Sequence, residues 1–278
     1  MREILLALMS TLSATQIEAI SYSISTLYSR FQSGSTTIGI FDSGKGGLSV
    51  LPPLTQPQQI SDIYYLGDTA HFPYGEKSEA ELIPLVIADI KYLVDKNCAL
   101  IGIACNTASI IWQTVCSQLP LEIQQQAQAI IFDTISTTMA TLKTSRLHRT
   151  IGVIGTDFTV KSKAYERAIR ETFPNVHPII LQSARQELVN AIEVGDERAT
   201  QAELNRIKDY FLHSHLDVFI LGCTHYGTIA SQLASCLPKN TIVIDPSTLL
   251  GQKLRAKALL SIKASTTRAP ITTIFLTM

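Results

Sequence analysis

The chain has 278 residues, of which 23 are basic and 23 acidic, so its formal net charge is zero. It lacks the basic excess of proteins that bind nucleic acid or acidic lipid, and no apolar run approaches the roughly 20 residues that span a bilayer. Its five cysteines have no compact spacing, which argues against a disulfide framework and indicates a reducing compartment. We therefore expect a cytoplasmic protein that acts on a small molecule, with no nucleic-acid or membrane partner.

Residues 1–36 differ from the rest of the chain. Helical spacing predicts helices at 3–12 and 16–30, followed by the linker-like Gln32-Ser33-Gly34-Ser35. The apolar run 4–9 resembles the core of a signal peptide, but Glu3 stands where such peptides carry a basic residue. We expect an amino-terminal extension, packed or mobile, that is dispensable for the chemistry; a regulatory arm is the alternative.

Beyond residue 36, short apolar runs alternate with helical spacing. Buried strands are predicted at 37–41, 63–66, 100–104, 129–132, 150–154, 177–181, 217–221, 241–244 and, at the end of the chain, 274–278. Helices are predicted at 79–94, 109–119, 162–172 and 198–213. This alternation predicts an α/β fold with parallel sheets, whose ligand sites lie beyond the carboxyl ends of the strands.

The two halves of the chain show a faint duplication. Ile38-Gly39-Ile40-Phe41 opens the first half and Ile151-Gly152-Val153-Ile154 the second, and each is followed later by a strand that ends in cysteine. We expect two similar parallel-sheet α/β domains that face each other across a central cleft. Residues 37–132 and 251–278 would form the first domain, and residues 133–250 the second.

Two cysteines follow strands and open helical stretches, in Ala104-Cys105-Asn106-Thr107 and Gly222-Cys223-Thr224-His225. Free N–H groups and the positive end of a helix dipole favour a thiolate there, so we expect a lowered pKa for both thiols. Inverting a stereocentre without a cofactor needs a base on one face and an acid on the other, and two cysteines can fill these roles. The remaining cysteines are expected to be structural: Cys98, Cys116 and Cys236.

Polar turns follow the first two predicted strands. Asp42-Ser43-Gly44-Lys45-Gly46-Gly47 is glycine-rich but fits neither nucleotide-binding spacing, so it is interpreted as a turn that presents a carboxylate, a hydroxyl and N–H groups. Gly67-Asp68-Thr69 and Pro73-Tyr74-Gly75 add a similar turn. Together with Asn106, Thr107, Thr224 and His225, they suit the carboxylates and ammonium of an amino acid. No C-x-x-C or H-x-x-x-H spacing indicates a metal.

These motifs, taken in order, resemble those of the cofactor-independent glutamate racemases, within the aspartate/glutamate racemase superfamily. The resemblance runs from about Thr37 to Thr277. It also includes Gly152-Val153-Ile154-Gly155-Thr156 and Leu221-Gly222-Cys223-Thr224-His225-Tyr226. Before Glu193 the family usually shows an Ala-Cys-Pro stretch, where this chain has Ala184-Arg185-Gln186.

The resemblance implies an activity and a set of site residues. It implies catalytic Cys105 and Cys223, supported by Asp42, Glu193 and His225. The implied substrate contacts are Asp42, Ser43, Tyr74, Gly75, Asn106, Thr107, Thr156, Thr224 and His225. It further implies a bacterial homodimer, without metal or other cofactor, that interconverts L- and D-glutamate for peptidoglycan synthesis. Aspartate racemase and a catalytically weakened binding or regulatory homologue are the alternatives.

Overall fold

The computed structural model describes residues 11–55, 60, 62–144, 150–261 and 272–277. The strands in these ranges are β1 (Ile38–Asp42), β2 (Asp62–Gly67), β3 (Leu100–Ile103), β4 (Ile131–Asp133), β5 (Thr150–Gly155), β6 (Ile179–Ala184), β7 (Val218–Gly222), β8 (Ile242–Ile244) and β9 (Thr272–Thr277). The helices are α1 (Ala14–Gln32), α2 (Leu51–Leu54), α3 (Glu79–Asp95), α4 (Asn106–Ser117), α5 (Leu121–Ile130), α6 (Thr134–Thr144), α7 (Asp157–Lys161), α8 (Ala164–Thr172), α9 (Gln186–Val194), α10 (Glu197–Phe211), α11 (Ala230–Ser235) and α12 (Pro246–Ser261).

The strands form two sheets, in the orders β4-β3-β1-β2-β9 and β6-β5-β7-β8, and every pairing among the described strands is parallel. In the first sheet β1 pairs with β2 and β3, and β3 pairs with β4. In the second, β5 pairs with β6 and β7, and β7 pairs with β8. Apart from β9, which adds to β2 at the edge of the first sheet, the two connectivities are the same, which confirms both the α/β fold class and the duplication. Cys105 and Cys223, after β3 and β7, therefore occupy equivalent places.

The central strands are apolar because helices cover both faces of each sheet. All residues of β1, β3 and β7 are buried. Three predicted elements were wrong in detail. The strand expected at 177–181 lies at Ile179–Ala184. The strand expected at 129–132 begins only at Ile131, because helix α5 continues through Ile130. The helix expected at 162–172 begins only at Ala164, because Lys163 adopts a left-handed conformation (φ 55°) between α7 and α8.

Helix α1 packs on the first lobe, against α3 and α5. It begins at a capping box on Ser13 and buries Ile20, Ile24 and Leu27 completely in the core of the first sheet. The predicted helix at 3–12 falls almost wholly outside the described residues. That the extension is dispensable for the chemistry stays a prediction, but this packing gives α1 a part in stability.

Helix α12 follows β8 and returns to the first lobe, where Leu250 and Leu254 are fully buried beside β3. The predicted domain boundary between residues 250 and 251 falls inside this helix, and the domain bounds stay a prediction. Within the described ranges, no helix is both long and apolar enough to cross a bilayer.

Candidate active site

A small cleft with a cavity volume of about 10 Å³, room for about one water molecule, lies where the carboxyl ends of the two sheets meet. Loops that follow β1, β2 and β3 line one side, and loops that follow β5, β6 and β7 line the other. The lining residues are Ser43, Phe72, Pro73, Tyr74, Gly75, Cys105, Asn106, Thr107, Thr156, Gln186, Val189, Cys223, Thr224 and His225. The cleft thus combines one thiol from each lobe. Larger grooves on the surface do not contain this pair.

Cys105 is the N-cap residue of α4, as the sequence predicted. Its Sγ accepts a hydrogen bond from Ala108 N (3.5 Å) and donates to Ser43 Oγ (3.6 Å). The expected lowering of its pKa was nevertheless wrong. Burial, with the nearby charge of Asp42, raises the pKa of the Cys105 thiol to about 12. Loss of water around the sulfur outweighs the N–H groups of the helix terminus, so this thiol is protonated at neutral pH.

Cys223 has a different environment. The chain after it forms a 3₁₀ turn, Thr224–Ile229, instead of the predicted α-helix start, and no N–H of that turn caps the side chain. His225 lies beside the thiol instead, with its Nδ1 3.6 Å from Cys223 Sγ. The local partner of this sulfur is therefore an imidazole and not a helix dipole.

His225 is held by Glu193, whose Oε2 accepts a hydrogen bond from His225 Nε2 over 2.7 Å. Burial lowers the pKa of His225. The hydrogen bonds with Cys223 and Glu193 have the opposite and larger effect, so the pKa is raised to about 10. The same hydrogen bond lowers the pKa of Glu193. The result is an imidazolium at neutral pH next to the Cys223 sulfur.

Asp42 lies behind the cleft wall, fully buried. Its carboxylate accepts hydrogen bonds from Gly44 N (3.2 Å), Gly47 N (3.1 Å) and Thr224 Oγ1 (3.2 Å). Burial raises the pKa of Asp42, while the charge of His225 and these hydrogen bonds lower it. The residue ties the loop after β1 to the loop after β7, across the two lobes.

Among the polar side chains beside Cys105, one N–H donor has no hydrogen-bond partner. Asn106 Oδ1 accepts hydrogen bonds from Tyr165 Oη (2.6 Å) and Thr134 Oγ1 (3.2 Å), which fixes the orientation of the amide. Asn106 Nδ2 is buried without a partner at the cleft. The hydroxyls of Thr107 and Thr156 lie 3.2 Å apart, one from each lobe. The cleft therefore holds a fixed N–H donor for an acceptor on a ligand.

Tyr74 lines the cleft, but its hydroxyl is already used. It donates to Asp68 Oδ2 over 2.6 Å and lies 2.9 Å from Asp89 Oδ2. Burial and the charge of Asp68 raise the pKa of Asp89 to about 8. A phenol has one proton, so a protonated Asp89 completes this network by donating to the tyrosine oxygen.

Ten of the cleft-lining residues were predicted as site residues, and Pro73 belongs to a turn predicted at the site; Phe72, Gln186 and Val189 were missed. Two of the missed residues, Gln186 and Val189, lie on α9, which the sequence did not predict as a helix. The signal that could have found Gln186 is its place just after β6, at the carboxyl end of a strand. Among the described residues, no group of three or more His, Cys, Asp or Glu side chains is placed to hold a metal ion.

Residues 56–253 match the Asp/Glu/hydantoin racemase family. A glutamate racemase of Limosilactobacillus reuteri is 30% identical over 212 residues, which cover 76% of each chain. The glutamate racemase of Francisella tularensis, solved in complex with D-glutamate, is 30% identical with a TM-score of 0.70, and 88% of each chain is covered. The glutamate racemase of Thermus thermophilus, solved with β-chloro-D-alanine, is 28% identical with a TM-score of 0.68, again with 88% of each chain covered.

The duplicated parallel sheets, the thiol that each contributes to one cleft and these relatives define an isomerase of the amino-acid racemase class. The chain belongs to the Asp/Glu/hydantoin racemase family.

Proposed function

We propose that the protein interconverts L- and D-glutamate by a two-base proton transfer between Cys105 and Cys223, without a cofactor. The observation that carries this proposal is the cleft itself, where loops of the two lobes bring both thiols to the walls of one site. A base and an acid on opposite faces of Cα are what inversion requires. The relatives at about 30% identity, which are glutamate racemases, support glutamate as the substrate.

The unequal environments of the thiols support a direction for each step. His225 places a positive charge 3.6 Å from Cys223 Sγ, whereas burial keeps the proton on Cys105. With the L-enantiomer, the Cys223 thiolate takes the α-proton, so the Cα–H bond breaks and an S–H bond forms. The Cys105 thiol then gives its proton to the opposite face of Cα. The product is the D-enantiomer, and the thiolate has moved to Cys105. The reverse reaction exchanges the two roles.

Fixed groups in the cleft would lower the barrier to this transfer. Negative charge develops on the substrate carboxylate when the α-proton leaves, and a preorganised donor stabilises it. Asn106 Nδ2 is a donor without a protein partner at this place. The closed shape of the cleft keeps water from the carbanion-like intermediate.

We further propose that the D-glutamate serves peptidoglycan synthesis in a bacterial cytoplasm and that the enzyme is a homodimer. The assembly is tested by light scattering after size-exclusion chromatography, where twice the mass of the chain is expected. Aspartate is the alternative substrate. The aspartate racemase of Picrophilus torridus shares the fold, with a TM-score of 0.57 at 20% identity.

The activity is tested by incubating the protein with L-glutamate or L-aspartate and separating the enantiomers by chiral chromatography. D-Glutamate is expected, and D-aspartate alone would support the alternative. If neither D-enantiomer forms, the result would favour a weakened binding homologue. Cys116→Ser is the matched control, because Cys116 is a free cysteine outside the cleft and its replacement leaves turnover unchanged.

A further inference from the structure

The cleft holds a buried side-chain oxygen that has no partner. Gln186 is the first residue of α9 and is only 7% exposed. Its Oε1 accepts no hydrogen bond, although the residue lines the cleft. Buried polar atoms are rarely left unpaired, and an unpaired one at a binding site indicates a partner on the ligand.

Two neighbours fix which end of this amide faces the cleft. Gln186 Nε2 donates to Asn190 Oδ1 over 3.2 Å, one helical turn away. Asn190 Nδ2 in turn lies 3.5 Å from Glu76 Oε1 and donates to it. An ionised carboxylate only accepts, so Asn190 presents its nitrogen to Glu76 and its oxygen to Gln186. Gln186 must then direct its own nitrogen to Asn190, which leaves Oε1 toward the cleft.

The oxygen lies at the wall formed by Gly75 and Thr156. A Cβ placed on Gly75 would be 2.6 Å from Gln186 Oε1 and 2.6 Å from Thr156 Cβ, so the absent side chain leaves room for the amide. The Thr156 hydroxyl is engaged with Thr107 (3.2 Å) and Thr159 (3.0 Å). The acceptor thus belongs to the same wall of the cleft as Thr156, a predicted substrate contact.

We propose that Gln186 is a specificity-determining residue whose Oε1 accepts a hydrogen bond from an N–H group of the substrate. This inference rests on the proposed racemase function and deepens it. The N–H donor is the α-ammonium of the amino acid or an amide at the end of its side chain. A carboxylate at the same place would meet the amide oxygen with like partial charge and without a proton to share, so the residue disfavours it.

The test compares Gln186→Leu with the wild type and with Gln201→Leu. Gln201 makes the same contact with a residue one turn on, Asn205 Oδ1 at 3.2 Å, but on the exposed face of α10, so it is a matched control. We measure kcat/KM for L-glutamate and L-glutamine, and the affinity for both D-enantiomers by calorimetry. We expect kcat/KM and affinity to fall about tenfold or more in Gln186→Leu and to stay unchanged in Gln201→Leu.

The pattern of the loss identifies the donor. Equal losses with glutamate and glutamine assign the α-ammonium, whereas a loss confined to glutamine assigns a side-chain amide. Values within twofold of the wild type for both ligands would overturn the inference. Asn190→Leu, at an exposed position, removes the contact that orients the Gln186 amide. This variant is expected to lower kcat/KM and affinity as Gln186→Leu does, and it can be measured even where Gln186→Leu fails to fold. A wild type inactive on both amino acids refutes the proposed function, and calorimetry then still decides the role of Gln186.

Discussion

Glu193 and His225 are joined by a hydrogen bond of 2.7 Å between Oε2 and Nε2, which connects α9 to the turn after β7. The second ring nitrogen of His225 lies 3.6 Å from Cys223 Sγ. The carboxylate therefore stabilises a positive charge beside one thiol, while Asp42 places a negative charge near the other. The cleft is chemically asymmetric although its two lobes are duplicated.

Replacing Glu193 with glutamine is expected to lower the pKa of His225, because a neutral amide no longer favours the imidazolium. His225 then loses its proton at a lower pH than the wild-type value of about 10. The alkaline limb of the kcat/KM profile should move toward neutral pH. Profiles from pH 6 to 10.5 check this, with Glu187→Gln, at an exposed position of the same helix, as the control. An alkaline limb that stays in place would contradict the role of Glu193.

The two cysteines are separated by partial reactions. Serine keeps the approximate shape of cysteine but is a far weaker acid, so Cys105→Ser and Cys223→Ser should each reduce racemisation by orders of magnitude. In deuterated water, exchange of the α-proton of the L-enantiomer should survive better in Cys105→Ser. Exchange from the D-enantiomer should survive better in Cys223→Ser. NMR of each enantiomer measures both rates, and equal loss with both enantiomers in both folded variants would argue against opposed bases.

Much of this site was readable from the sequence because its residues directly follow buried strands. Cys105 and Cys223 each come within two residues of an apolar run, and parallel strands bring such positions to one edge. The thiol pKa could not be read in the same way. A helix start is a local feature, but the burial that raises the pKa of Cys105 comes from the packing of both lobes. Gln186 was missed because the strand before it was expected to end at residue 181, whereas β6 continues to Ala184.

Asp89→Asn tests the buried network around Tyr74. Burial raises the pKa of Asp89 to about 8, so the folded protein holds this proton more tightly than the unfolded chain, whose aspartate pKa is about 4. The contribution of protonated Asp89 to the stability of the folded protein is present at low pH and is lost as the pH rises from about 4 to about 8. Asparagine can donate to Tyr74 at every pH. The Tm of Asp89→Asn relative to the wild type should therefore rise between pH 5 and 8.

Asp95→Asn, at an exposed position of the same helix, is the control for that series. Calorimetric scans at four or five pH values suffice. A difference in Tm between Asp89→Asn and the wild type that does not change with pH would mean that Asp89 is ionised in the folded protein.

Leu27→Ala tests the packing of helix α1. Leu27 is completely buried in the first core, so its truncation should lower the free energy of unfolding by about 2–5 kcal/mol. Tyr22→Ala on the same helix is the control, because Tyr22 is 76% exposed. Urea titration measures both. Equal stabilities for Leu27→Ala and the wild type would show that α1 is not part of the cooperative fold.

Proton transfer between two opposed thiols determines the fate of the substrate hydrogen in the first few per cent of turnover. Dialysed wild-type protein is incubated with L-glutamate in deuterated water, and both enantiomers are separated and analysed by mass spectrometry. We expect the new D-glutamate to carry deuterium at Cα while the remaining L-glutamate keeps its protium, because one sulfur removes the proton and the other delivers a deuteron. D-Glutamate that retains the original protium would contradict it, since a single base would then return the proton it removed.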